Sequence, residues 1–414
     1  EDGPMTTTTT SAAEMVLHIA RHLTEPIPPP PDEPWAVQSL ADGAAGTALL
    51  HVEAAWSHGQ PWRTAHRWIS AAVSGLVSAA DTSGLFLGAP AVGFLLSTPP
   101  PEFDHLYAQA RRTVHRHILA LAHRRTDTAL ARINRRELAT FAEYDLLYGL
   151  TGIGAYLLHT SPEGGALDRI LRYLVGLTRP LAPGDRGLPG WWVRHDPRRG
   201  HSPHFPGGHG NLGAAHGITG PLLLLAQALR RGIEVPGHRQ AMLTICEHLD
   251  TWRQDAETGP WWPEHLSRRD LDHRHPHRHH DARPSWCYGT TGIARAGQLA
   301  GIALHDTGLQ ASYEDALYRA LTDPAQLANI TDIGLCHGWA GIYQTATRAA
   351  ADASDPRLPE LLPTLGHALL DHVRLDPTMA PGLLNGSSGT ALALSALATQ
   401  QPPSTGWDAC LLIN

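Results

Sequence analysis

A short step, Gly-x-x-Gly followed by small apolar residues, recurs along the chain and constrains its fold more than any other feature. It occurs at Gly43–Gly46, Gly149–Gly152, Gly217–Gly220, Gly289–Gly292, Gly338–Gly341 and Gly386–Gly389. A degenerate copy stands at Gly88–Ala91, where alanine replaces the second glycine. Successive steps lie 45 to 72 residues apart, a period that marks a repeat architecture. Between them, apolar residues fall at helical intervals: Met242, Ile245, Leu249 and Trp252 line one face. After the step at Gly217, Leu222, Leu225, Ala226 and Leu229 do the same. Pro221 sits where an early-helix proline is tolerated, and Gly232 supplies a stop. Each repeat therefore reads as helix, glycine turn, helix.

Seven helical hairpins can stack as an open solenoid or close on themselves. A solenoid favours a constant repeat length and polar end caps. Here the intervals are uneven and the last repeat runs nearly to the C-terminus. The helices after the steps are rich in Ala and Gly, as close convergence requires. The expectation is an all-α fold: an α/α toroid (barrel) of seven helical-hairpin repeats, with inner and outer helix rings. An ordinary all-α domain with glycine-capped helices is the other reading of the pattern. In a closed ring the turns gather at one end, where backbone N–H groups and helix dipoles favour developing negative charge.

The repeat domain is assigned to residues 35–414. Residues 1–34 read as a tag remnant (Glu1–Pro4), then flexible or polyproline stretches at Thr6–Thr10 and Pro26–Pro34 around a short helix near Met15–Leu23. Residues 180–210 are rich in Gly, Pro and His around Trp191-Trp192-Val193 and read as a small accessory insertion. Residues 267–281 read as a solvated charged loop. Its histidines His273, His275, His277, His279 and His280 lack a frame that would impose metal geometry.

Composition removes whole reaction classes. All 32 basic residues counted as Lys+Arg are arginine, so neither Schiff-base lysine chemistry nor a P-loop lysine is available. A net charge of -7 argues against nucleic-acid binding. No apolar run of about twenty residues predicts membrane insertion, and no N-terminal export signal is present. Four cysteines in 414 residues give no disulfide framework, which points to a reduced, cytoplasmic protein.

Cys246 and Cys410 lie in apolar surroundings and read as core. Cys287 and Cys336 each stand two residues before a step, Gly289 and Gly338, and His337 follows Cys336. A closed ring would bring them together as a Cys2His set, which suits zinc and leaves a fourth position open. On spacing alone, two buried thiols sharing a phase is the competing reading. His216 precedes the Gly217 step and Asp145 lies four residues before Gly149, so an acid–base pair would face the same mouth; a histidine serving as a helix cap or a core group is the other reading of His216. Arg283, four residues before Cys287, is either a nearby fixed cation or a surface residue.

Ser285-Trp286-Cys287-Tyr288-Gly289, Cys336-His337-Gly338, Ala215–Gly220, Tyr144–Gly152 and the closing Trp407-Asp408 together resemble the signature segments of the lanthionine cyclases, the LanC family. The resemblance runs from about Leu40 to the C-terminus. It implies a toroid holding one Zn2+ per chain on Cys287, Cys336 and His337, with active-site roles for His216, Asp145, Arg283 and Tyr288. It implies lanthionine synthetase activity, adding cysteine thiols to dehydroalanine or dehydrobutyrine of a dehydrated precursor peptide that carries a leader. A separate dehydratase and a peptide transporter are the further partners it implies. With no dehydratase or kinase segment ahead of the cyclase part, the expectation is a stand-alone cyclase. The alternative is a LanC-like zinc protein that binds thiols such as glutathione without forming rings. A zinc hydrolase is disfavoured by two thiolate ligands.

Overall fold

The computed structural model describes residues 4–181, 188–257, 259–277, 283–374 and 379–414, the side chains of 4–7 excepted. Glu1–Gly3, read from the sequence as part of a tag remnant, positions 182–187 of the expected accessory insertion, and His279 and His280 lie outside the described residues. The chain divides into two compact units, one comprising 1–119, 330–412 and 414, the other 120–329 and 413.

Each of the seven steps starts a helix: Ala44–Ser57, Ala89–Leu95, Leu150–Thr160, Thr219–Arg230, Thr290–Leu304, Trp339–Asp352 and Ser387–Thr399. The first glycine is the N-cap in six of them. At Gly217 the helix starts later and Ile218 takes the cap. These helices are buried along most of their length. The second glycine of a step has a steric cause. A Cβ at Gly292 would lie 2.0 Å from the Trp286 carbonyl oxygen, and one at Gly341 2.0 Å from that of Leu335.

The helices between steps bury one face only, as their periodicity requires. His238–Trp252 buries Met242, Ile245, Leu249 and Trp252. Gly232, at φ +76°, follows the helix Thr219–Arg230 as the expected stop. In the first unit Trp62–Ala72 packs on Ala44–Ser57, Arg357–His372 on Trp339–Asp352, and Pro4–His22 on Ser387–Thr399. In the second, Gly165–Leu177 packs on Leu150–Thr160 and Thr307–Thr322 on Thr290–Leu304.

The N-terminal segment corrects the sequence reading. Thr6–Thr10 are not flexible but form early turns of the helix Pro4–His22. Threonine is a mediocre helix former, yet Ala12, Val16 and Ile19 on this helix are buried, and Thr8 Oγ1 bonds His367 Nε2 at 2.8 Å. Tertiary burial overrides the local preference. Residues 267–277 likewise contain a helix, Arg268–His273, started by a capping box between Ser267 and Asp270. His277 Nδ1 bonds Asp270 Oδ1 at 2.9 Å, so this part of the loop is built rather than merely solvated. Trp191, Trp192 and Val193 are buried, and Val193 bridges both Ala139 and His209. Among the described residues, the remaining strands are two short antiparallel pairs, Gly210–Asn211 with His265–Leu266 and Gln254–Ala256 with Gly259–Trp261.

Backbone hydrogen bonds lace the glycine turns side by side within each unit. In the first, Leu40 N–H donates to Phe86 (3.0 Å), Leu383 N–H to Ala41 (2.7 Å) and Cys336 N–H to Leu384 (2.9 Å). In the second, Leu146 N–H donates to Ala215 (3.1 Å) and Ala215 N–H to Cys287 (3.3 Å). These rungs place Asp145, His216, Cys287 and Cys336, since each is a rung residue or its immediate neighbour.

Candidate active site

In the second unit the turns bring together an acid, an imidazole and a phenol. His216 Nδ1 lies 2.7 Å from Asp145 Oδ2. Asp145 is fully buried, and its Oδ1 accepts the Tyr148 N–H at 2.7 Å, so both carboxylate oxygens are engaged. The His216 ring packs against Tyr148, stacked at 5.6 Å and 11°, and against Phe141, tilted at 4.9 Å. With Nδ1 committed to the carboxylate, Nε2 is the nitrogen left for proton transfer.

Tyr288 stands 6.4 Å from His216, ring to ring. Its hydroxyl accepts from Asn211 Nδ2 at 3.0 Å. Burial pushes its pKa well above the usual phenol range, so it is a protonated donor at neutral pH. Cys287 is buried one residue before it, with Ser285 Oγ 3.7 Å from its sulfur. The cap glycine that follows, Gly289, sits at φ +114°. A Cβ there would meet the Arg283 carbonyl oxygen at 1.9 Å, so the Arg283 backbone folds under the turn. No hydrogen bond or ion pair to the Arg283 guanidinium occurs among the described residues.

In the first unit Cys336 is half-buried, and its sulfur and a ring nitrogen of His337 lie within 4.8 Å of each other. His337 Nε2 lies 3.1 Å from Asp332 Oδ2. The core readings hold for the other two cysteines, both buried: burial pushes the Cys246 thiol up to about 12 and raises that of Cys410 well above the usual thiol range.

Sequence reasoning missed Asn211 and Asp332. Both stand six residues before the first glycine of a step, Gly217 and Gly338. That shared offset was the signal available. It also missed Tyr148 and Phe141, whose aromatic character reads as core until the fold sets them against His216.

A profile described as lanthionine synthetase C-like protein matches residues 34–412. The chain belongs to this family. Among curated proteins, the nisin biosynthesis protein NisC of Lactococcus lactis subsp. lactis is 25% identical over 205 residues, 49% of this chain and 48% of that protein. The match thus spans about half the length of that relative. Among solved structures, one named nisin cyclase superposes with a TM-score of 0.78 at 20% identity, covering 98% of this chain and 97% of the other. That likeness establishes the fold of this family member as the α/α toroid. Among the described residues, no helix is long and apolar enough to cross a membrane.

Proposed function

We propose that this LanC-family protein is a zinc-dependent peptide cyclase that adds cysteine thiols to dehydroalanine or dehydrobutyrine of a dehydrated precursor peptide, forming thioether rings. Family membership supports the reaction class. The observation that carries the reading is the Asp145–His216 pair beside Tyr288, on turns whose rung ends on Cys287.

Cys287, Cys336 and His337 are the proposed ligands of one zinc ion. Two sulfurs and one imidazole fit zinc and leave a corner for a substrate thiol. Within the first unit, the Cys336 sulfur and a ring nitrogen of His337 lie within 4.8 Å of each other, which supports a shared ion. Zinc bound there supplies a thiolate from a thiol whose free pKa is about 8.5.

Carbon–sulfur bond formation at the β-carbon moves the alkene electron pair toward the amide oxygen, and the α-carbon then takes a proton. The Tyr288 hydroxyl, kept protonated by burial and already accepting from Asn211, is oriented to donate to that oxygen. Arg283 is the alternative donor. His216 handles the proton, and Asp145 fixes its ring and steadies the imidazolium. A reducing, cytoplasmic setting suits the chemistry, because ligand and substrate thiols must stay reduced. A leader-bearing precursor, a dehydratase and a transporter are the partners this role calls for.

The test is incubation of the zinc-loaded protein with a synthetic peptide holding one dehydrobutyrine and one cysteine, followed by thiol alkylation and mass analysis. The expected result is loss of alkylatable thiol at unchanged peptide mass. Retention of the thiol with peptide or glutathione bound would overturn cyclisation in favour of thiol binding.

A further inference from the structure

We propose that Asp332 is the positioning residue of the metal centre: it holds His337 by Nε2 and so assigns Nδ1 as the ring nitrogen that binds the ion. This rests on the zinc reading above. Its grounds are the turn that carries Asp332, which is built to hold a carboxylate in one place. Oδ1 accepts the Gly334 N–H at 3.1 Å, and Oδ2 lies 3.1 Å from His337 Nε2. The Asp332 main chain is fixed as well, its carbonyl accepting the Trp339 N–H at 3.2 Å. Gly338 leaves the space: a Cβ there would sit 2.4 Å from Asp332 Oδ1 and 2.4 Å from the Gly334 nitrogen. The glycine after Cys336-His337 is therefore what lets the carboxylate reach the imidazole.

An independent copy of the device stands in another repeat. Asn211 occupies the same place relative to Gly217. Its Oδ1 accepts the Gly213 N–H at 3.0 Å, and a Cβ at Gly217 would lie 2.5 Å from that oxygen. The outward atom of Asn211, Nδ2, holds the Tyr288 hydroxyl. In both turns one side-chain atom locks to the backbone two residues on and the other aims a functional side chain. The choice of amino acid follows the partner. A phenol that must keep its own proton for donation is met by an amide N–H. An imidazole that must present a lone pair at Nδ1 is met by a carboxylate, which accepts the Nε2 proton and fixes that tautomer. A carboxylate behind a ligating histidine also raises the basicity of the ring, and losing such a partner weakens metal affinity roughly 10- to 100-fold.

The test compares wild type, Asp332→Asn and Asp332→Ala, each stripped and reloaded. Zinc affinity is read by competition with a chromophoric chelator, and cobalt(II) stands in for zinc in absorption spectra. Wild type is expected to take up one ion with the intense charge-transfer bands of thiolate ligation. Asp332→Ala should bind roughly 10- to 100-fold more weakly. Asp332→Asn keeps the Gly334 bond through its side-chain oxygen, so weaker binding by this variant separates loss of the His337 partner from loss of the turn. Variants as tight as wild type with the same cobalt spectrum would overturn the role of Asp332. A wild-type protein that takes up no zinc would instead overturn the underlying metal reading.

Discussion

At the scale of single residues, the proposed chemistry depends on which nitrogen of His216 is engaged. Asp145 Oδ2 holds Nδ1, while Oδ1 is occupied by the Tyr148 N–H. Asp145→Asn can keep the Tyr148 bond through its carbonyl oxygen, but its amide then faces Nδ1 as a donor and favours the tautomer protonated at Nε2. The expected outcome is a folded protein with normal zinc content and a cyclisation rate lower by roughly 10²- to 10⁴-fold, the usual worth of a positioned proton-transfer group. His216→Ala should lose about as much, and the double variant little more, because the two act as a unit. Single-turnover rates with the synthetic peptide, beside zinc analysis of each variant, decide this. Zinc lost together with rate would make His216 structural.

At the scale of elements, much was legible and the reason is physical. Glycine steps and a 3.6-residue apolar period are local signals, so the helices starting at Gly43, Gly149 and Gly289, and the buried face Met242–Trp252, could be read from the chain alone. Thr6–Thr10 could not, because its helicity comes from burial against residues more than 350 positions away, as the Thr8–His367 bond shows. Asn211 and Asp332 were illegible for a related reason: an Asx residue in a turn is common, and only the fold reveals what its free end holds. The closing Trp407-Asp408 pair also changes meaning. Asp408 is fully buried, accepts from Arg348 Nε at 2.6 Å and Nη2 at 2.8 Å, and takes the Gln344 amide at 2.8 Å. It anchors the C-terminal segment to the helix that starts after Cys336-His337-Gly338. Asp408→Ala strands the Arg348 charge and should cost about 3–5 kcal/mol, measured as a lower midpoint in urea. Gly341→Ala, forcing a Cβ against the Leu335 carbonyl, should cost about 1–3 kcal/mol by the same measurement. Either variant melting like wild type would contradict these assignments.

At the scale of the whole molecule, the chain buries imidazoles that the unfolded state would leave free to protonate. Burial holds His51, His209 and His248 each at about 4, against 6.5 for an unperturbed histidine. Their Nε2 atoms lack hydrogen-bond partners among the described residues, and burial outweighs the backbone bonds that Leu23 and His195 offer to His51 and His209. Because the folded values lie below the unfolded one, the unfolded chain binds more protons between these limits. The stabilisation is therefore complete above pH 6.5 and is lost as pH falls toward 4, by ~3 kcal/mol per histidine at full effect. Paired carboxylates such as Asp104 and Asp355 have their pKa lowered from 3.8 by Arg111 and Arg357. Their contribution fades only in a more acidic range, so the two groups separate along the pH axis. Thermal melting of the metal-free protein between pH 7.5 and 4.5 should show a midpoint nearly constant above 6.5 and falling steadily below it. His248→Phe, which keeps an aromatic ring edge-on to Trp191, should flatten that fall while leaving the plateau in place. A midpoint that holds level to pH 4.5 would mean that these three rings are not charged on unfolding in the way their burial demands.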